Sequence, residues 1–496
     1  MKNDSGWEGA GSSGSGETDA LEHGRALMDR LAQFAASGRP LEELPALEHL
    51  AERVNRALSD LRALYAGRPQ PMSGTEREAL AVAQSLALEA ARAYGIAAQE
   101  LARAPSATLR LAPLILKPML YLTSTMHESY AAYAKLPVGA WRELHALYLL
   151  AERGAVAAGS ADRESRLSVL DLYGRALVIS LVDPYRLAQG DLDAVEALLK
   201  ECGALPSITR EAPESPPGSH FLIECDEDRP PRPVRDEDVP APGKELRFVD
   251  AGALARALRK RSAANALSNA ADERATLAAR VAGFLDDPPK RTLLRETVNG
   301  SVAICVGVKP IAHFVAHEVA AGEAQAEESA LREGLTMPVR ALPEDEEGRL
   351  IPIHEWAVLN ASRGGLRLRR EAETDYPVII GEVVGVRAPG NVQWRIGITR
   401  WITGLTDGAT EFGVQFFANA VCAVWLWQAG KAGERKLGLL VAEGEHNSEE
   451  LLLAPAGTYV GAAEYELRGE GLRSRVRGTV LVEKTARFEL FRIAAT

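Results

Sequence analysis

The sequence predicts a multidomain α and β protein: an N-terminal all-α helical bundle or repeat-like array, then a C-terminal antiparallel β-barrel with further β strands. Three observations carry this. From about residue 21 to 205 the chain is rich in Ala, Leu, Glu and Arg, with apolar residues at helical spacing. From Ser301 onward, short runs of β-branched and aromatic residues alternate at period two between turn residues. A stretch crowded with prolines and acids, Glu211 to Pro242, separates the two. At 496 residues the chain exceeds one core, and two to four domains of about 100–200 residues are expected.

Residues 1–20 are rich in Gly, Ser, Asp and Glu and are expected to be disordered. Gly9-Ala10-Gly11-Ser12-Ser13-Gly14 matches G-x-G-x-x-G, but no strand precedes it, which argues against a dinucleotide fold there. In the helical domain, 21–205, Thr75-Glu76-Arg77-Glu78 predicts a capping box ahead of a helix from Ala81 to Leu101. Segments Ala140 to Ala155 and Glu164 to Leu181 also have helical spacing, without a fixed repeat length. The most apolar run, Leu111 to Leu122, contains Pro113, Lys117 and Pro118 and is too short to span a bilayer.

The eight prolines between Glu211 and Pro242 disfavour a packed helix, so 206–247 reads as a linker, with Phe221-Leu222-Ile223 available as an edge strand. Residues 248–287 hold connecting helices, Ala251 to Lys260 and Ala271 to Leu285. Pro288-Pro289 stops the second, because neither proline donates an N–H and each restricts its predecessor. Arg291 and Arg295 therefore begin in a loop. A strand from Ser301 to Val308 follows, with Val302, Ile304, Val306 and Val308 at period two.

A helical pattern near Ile311 to Glu333 and the acidic run Glu344 to Glu347 form an insert. Beyond it, Trp356, Val358, Leu366 and Leu368 flank the turn Asn360 to Gly365, and Arg367 and Arg369 alternate outward. Strands Val378 to Arg387, Val392 to Ile402 and Thr410 to Phe417 follow, with Asp407-Gly408 supplying turn chemistry. Residues 288–420 thus read as a small antiparallel barrel. The runs Ala423 to Trp427, Lys436 to Val441, Glu449 to Leu453, Tyr459 to Leu467 and Ser474 to Phe491 exceed what one barrel needs, so 421–496 supplies additional strands or a second small β domain. Trp425 and Trp427 alternate with apolar residues and are expected in the core.

Composition excludes several classes. A net charge of −11 argues against general nucleic-acid binding, which needs a basic surface. Cys202, Cys225, Cys305 and Cys422 are scattered, as reduced core thiols would be. No basic-then-apolar leader is visible, so a cytoplasmic location without a membrane span is expected. Neither G-x-S-x-G nor G-x-x-x-x-G-K-[ST] occurs. His313 and His317 stand at i, i+4, but Phe314 occupies the position where a zinc protease carries Glu, and no third ligand is identified. No catalytic residue, cofactor or metal is assigned, and a metal hydrolase using His313 and His317 is the remaining enzyme alternative.

Two motifs are left. Arg291 and Arg295 can fork onto guanine edges or phosphates, and Asn360-Ala361-Ser362-Arg363-Gly364-Gly365 offers short polar groups on a turn whose glycines permit close approach. The order R-x-x-x-R, strand, N-x-S-x-x-G, strand, hairpin resembles the PilZ family, bacterial receptors for cyclic di-GMP. The resemblance covers Pro288 to Phe417, including Trp394 to Trp401 and Glu411 to Phe416, which are similar to the family's closing strands. It implies a non-enzymatic receptor in which Arg291 and Arg295 grip guanine and phosphate of cyclic di-GMP while Asn360, Ser362 and Gly365 line the barrel side. It also implies an unidentified protein partner, reached through the helical domain, and outputs in motility, pilus function, exopolysaccharide production or biofilm control. The chain departs from the pattern in the 64 residues that separate Arg295 from Asn360. A ligand-independent interaction scaffold with a degenerate barrel is the alternative reading.

Overall fold

The structure, a computed structural model, describes residues 13–104, 108–159, 167–203, 205–214, 218–235, 243–266, 273–288, 296–316, 350–371, 377–389, 391, 393–418, 421–430, 434–442, 450–469 and 472–496. It divides into two compact units. The first is Met1–Lys290 with Thr403–Gly408, the second Arg291–Ile402 with Ala409–Thr496.

The first unit opens with helices α1 (Ser13–Ala36), α2 (Leu44–Tyr65), α3 (Gly74–Ala102), α4 (Thr108–Ala131), α5 (Ala140–Arg153), α6 (Val169–Leu181) and α7 (Asp191–Cys202). Residues 13–20, expected to be disordered, are the first turns of α1, whose Leu27, Leu31 and Phe34 are buried and extend the helix back from its packed face. The capping box of α3 lies two residues earlier than the sequence suggests. Ser73 Oγ accepts from the Glu76 N–H and Glu76 Oε2 accepts from the Ser73 N–H, at 3.3 and 2.7 Å. Helix α4 runs through Pro113 and Pro118, because Leu111, Ile115, Met119, Leu122 and Met126 form one buried stripe whose packing outweighs the lost backbone bonds.

The expected linker is folded. Strands β1 (Ser207–Thr209), β2 (His220–Glu224), β3 (Arg232–Pro233) and β4 (Leu246–Asp250) form a sheet in the order β1-β4-β2-β3. Phe221, Leu222 and Ile223 lie on an inner strand rather than at the edge, and all three are buried. Proline is tolerated because Pro233 sits on β3, the sheet's edge. Helices α8 (Gly252–Ala266) and α9 (Glu273–Asp286) are more than connectors, since Leu254, Leu258, Val281 and Leu285 enter the main helical core.

Polar contacts from this sheet and its loops tie it to helix α5. Helix α5 starts at Gly139, which has no capping side chain, and Asp228 from the β2–β3 loop accepts instead from the N–H groups of Gly139, Trp141 and Arg142 at 2.6, 3.0 and 3.2 Å. Arg247 of β4, 3% exposed, makes a two-pronged bond to Glu152 of α5, with Nε to Oε1 at 2.9 Å and Nη2 to Oε2 at 2.6 Å.

The second unit contains two closed barrels. The first uses β5 (Glu296–Val306), β6 (His354–Ser362), β7 (Gly365–Arg370), β8 (Val383–Arg387), β9 (Arg395–Gly404) and β10 (Thr410–Ala418), in the circular order β5-β6-β7-β10-β9-β8. The second uses β11 (Val421–Gln428), β12 (Lys436–Ala442), β13 (Glu450–Pro455), β14 (Glu464–Gly469), β15 (Leu472–Lys484) and β16 (Phe488–Ala495), in the order β11-β12-β13-β16-β15-β14. Adding six to each strand number converts the first order into the second. The C-terminal strands are therefore a second barrel of the same topology. Ser474 to Phe491, one run in the sequence, folds as two strands around the turn at Thr485, whose Oγ1 accepts from the Phe488 N–H at 3.1 Å.

The barrels pack through unlike faces. Cys305, Val383, Ile396 and Ile398 of β5, β8 and β9, with Ile311 and Phe314 of a helix at 308–316, share one core with Leu437, Leu439, Leu451, Leu453 and Leu490 of β12, β13 and β16. Arg400 clamps Glu483 beside it, with Nη1 and Nη2 at 2.5 and 3.0 Å from the carboxylate oxygens. Trp425 does not lie in a core: it is 37% exposed, while Val424 and Leu426 on either side point into the second barrel. The remainder of the expected insert, 317–349, lies outside the described residues.

The first unit should lose stability in acid in two steps. Burial lowers His145 to about 4, so its folded form resists protonation. Stability is complete above the unfolded value near 6.5 and declines as pH falls below it. The Arg247 and Arg210 guanidiniums hold Glu152 at about 2, so a further contribution is present above the ordinary carboxylate range and lost as pH falls from there toward 2. Glu152→Gln should cost about 2–3 kcal/mol, less than for a fully buried pair because a fifth of Glu152 remains in water. Thermal melts of wild type and Glu152→Gln between pH 7 and 3 measure both. A variant as stable as wild type at pH 7 contradicts the assigned role.

Candidate functional site

The geometry of the first barrel turns on a bulge. Leu366 and Leu368 of β7 are buried, so the residues alternating with them, Arg367 and Arg369, face outward. Strict alternation along β6 from the buried Val358 would send Asn360 into the barrel. The ladder instead slips between Val358 and Asn360, pairing Asn360 with Arg367, Ala361 with Leu366 and Ser362 with Gly365. Residues opposite one another share a face, so Asn360 and Ser362 are turned to the outside with Arg367. A matching irregularity between Thr297 and Gly300 keeps β5 paired on the other side of β6.

Three of the five sequence-selected residues are thereby brought together. Asn360 and Ser362 are half-buried on the β6–β7 hairpin, and Ser362 Oγ donates to the Gly365 carbonyl at 3.3 Å. Gly365 has a packing reason of its own. A Cβ there would meet the Val414 carbonyl oxygen at 2.2 Å, so β10 demands the glycine without reference to any ligand. Arg291 and Arg295 lie outside the described residues. Their covalent attachment is clear, because Arg295 precedes Glu296 and Glu296 is the ladder partner of Ala361, between Asn360 and Ser362.

Residues that the motifs did not single out complete this surface. Arg395 Nη2 donates to the Arg363 carbonyl at 3.0 Å, and its guanidinium lies 3.7 Å from the centre of the Phe416 ring. Burial lowers the Arg395 pKa. Arg367 is bound by Glu411 through Nε at 3.1 Å and also through Nη2, with its guanidinium 5.9 Å from the centre of the Trp401 ring. Trp401 in turn lies over Gly413, where a Cβ would be 1.9 Å from Nε1. The signal for Arg395 and Trp401 was present in Trp394 to Trp401, but their meeting with β7 and β10 follows only from barrel closure.

A cavity of about 760 Å³ lies elsewhere, in the first unit between α2, α3 and α4. Four of its charged lining residues are paired with one another, Arg62 with Glu128 and Lys117 with Glu48, and Glu52 also lines it. His313 lies on the 308–316 helix and His317 outside the described residues. Among the described residues no group of three or more His, Cys, Asp or Glu could hold a metal. No described helix is long and apolar enough to cross a membrane.

Comparison with known families agrees with this geometry. Residues 16–213 match the N-terminal domain of the cyclic-di-GMP receptor FimW, and residues 324–421 match that receptor's middle PilZ domain. The chain carries a PilZ domain. Its helical extension corresponds to the N-terminal match, and the N-x-S-x-x-G hairpin of the PilZ barrel falls inside the second, whereas Arg291 and Arg295 precede it. The cyclic-di-GMP receptor FimW of Pseudomonas aeruginosa is 24% identical over 347 residues, which cover 58% of this chain and 56% of that protein. The chain thus spans a little over half the length of this curated relative.

Replacing Gly365 tests whether its constraint belongs to the barrel. Gly365→Ala should destabilise the ligand-free protein by about 1–3 kcal/mol through overpacking against Val414, whereas Ser362→Ala, at a half-buried hydroxyl, should stay within about 1 kcal/mol. Thermal melting without nucleotide measures both. A neutral Gly365→Ala would remove the packing explanation.

Proposed function

We propose that this protein is a non-enzymatic cyclic di-GMP receptor whose PilZ barrel binds the dinucleotide through Arg291, Arg295, Asn360 and Ser362, with Gly365 shaping the hairpin, and which signals through its helical domain to a protein partner. The observation that carries the reading is the pairing of Glu296 with Ala361. It attaches the arginine segment at the strand position beside the two outward polar side chains. The arginines supply forked donors for guanine or phosphate, and Asn360 and Ser362 supply short donors and acceptors. The second barrel has neither motif at the equivalent places. Phe416 to Ala420 precedes β11 without an arginine, and Glu443 to Glu449 joins β12 to β13 without N-x-S-x-x-G.

Coupling to the helical domain is proposed through chain continuity. Helix α9 ends at Asp286, and Arg291 follows within a few residues. Ordering of the arginine segment on the ligand would shift the equilibrium by no more than the ligand's differential affinity for the two arrangements.

Titration calorimetry with cyclic di-GMP tests the site. Arg291→Ala and Arg295→Ala should each weaken binding by about ten- to a hundredfold with the fold intact. Lysine at either position should rescue only in part, because an ammonium lacks the planar fork. Wild-type affinity in both alanine variants would overturn the arginine assignment. Hydrogen exchange should gain protection at the Asn360–Gly365 hairpin and change in α8 and α9. At saturation, a change confined to the hairpin would remove the proposed coupling.

A further inference from the structure

We infer that the outer face of the second barrel carries a separate site for a small anionic nucleotide, formed by Trp425, Arg468 and Arg473. The ladder places the three in one row across three adjacent strands: Trp425 of β11 is the partner of Arg468 of β14, which is the partner of Arg473 of β15. All three face outward, because Val424, Leu426, Leu467 and Val476 fill the barrel interior. With neighbouring strands about 5 Å apart, the row spans about 10 Å, room for a base on the indole and its phosphate at the guanidinium pair.

Charge makes this row unlike its neighbours. One step along the ladder Glu466 opposes Arg475, and two steps along Glu464 opposes Arg477 and binds Arg475 and Arg477 at 3.0 and 3.4 Å. Arg468 and Arg473 are two like charges directly opposed, an arrangement that costs stability. Among the described residues neither has an ion-pair partner. The indoles differ in the same way: Arg435 lies 5.2 Å from the centre of the Trp427 ring, while among the described residues Trp425 has no cation over it. An exposed indole beside two uncompensated guanidiniums, on a chain of net charge −11, suits a planar base joined to phosphate. A long single strand is disfavoured, because Glu464 and Glu466 interrupt the basic surface within two rows.

The site is independent of the PilZ hairpin, and the test separates them. Tryptophan fluorescence of the full chain carrying Arg291→Ala and Arg295→Ala is titrated with GMP, guanosine, inorganic phosphate and a thymidine oligonucleotide. Saturable quenching by GMP is expected, about tenfold tighter than by guanosine or phosphate alone. It should be lost on adding Trp425→Leu or Arg468→Ala with Arg473→Ala. Arg473→Gln alone should weaken binding while raising the thermal midpoint without ligand, because it removes the repulsion. The proposal is overturned if GMP does not saturate, if quenching survives the double arginine variant, if phosphate binds as tightly as GMP, or if the oligonucleotide alone binds.

Discussion

A one-residue slip in a β-ladder decides what the first barrel presents to its surroundings. Because side chains alternate along a strand, the register between β6 and β7 determines whether Asn360 faces the interior or the surface. The bulge after Val358 lets Trp356 and Val358 fill the barrel while Asn360 and Ser362 turn outward with Arg367. Across the same region β5 pairs with β6, Glu296 opposite Ala361 and Thr297 opposite Asn360. Gly365 permits β10 to close against the hairpin, so barrel packing and site geometry rest on the same few residues.

Two barrels of one topology need not do one thing. The face of the first formed by β5, β8 and β9 is apolar and meets β12, β13 and β16 of the second. The equivalent face of the second, on β11, β14 and β15, instead carries arginines, glutamates and an exposed indole. The second barrel also supports the first directly, through Arg400 and Glu483 and the buried leucines of β12 and β13.

In the helical unit, long-range polar contacts supply what local sequence leaves out. Gly139 gives α5 no side-chain cap, and Asp228 provides one from 86–89 residues away. Arg247 and Glu152 join the small sheet to the same helix. These contacts make the proline-rich stretch a folded part of the unit, and α8 and α9 add Leu254, Leu258, Val281 and Leu285 to its core. The matches to N-terminal and PilZ domain models bracket a region, 214–323, that neither covers, yet its described part has a defined architecture.

The sequence by itself determined the division into a helical part and a β part, the positions of most strands, and the short polar residues of the hairpin. Each follows from local periodicity or turn chemistry, which a chain expresses wherever it packs. It left the face of Asn360 open, because a bulge changes side-chain direction without changing composition. It also misread the linker, Trp425 and the paired strands β15 and β16. Strands β1 and β2 of the linker form by pairing with β4 further along the chain, and alternation cannot distinguish the inside of a barrel from its outside. Gly365 was visible as a residue permitting close approach, but only barrel closure identified what approaches it. Tertiary structure decided these points because register, closure and the equivalence of two barrels are relations between strands, and no single strand carries them.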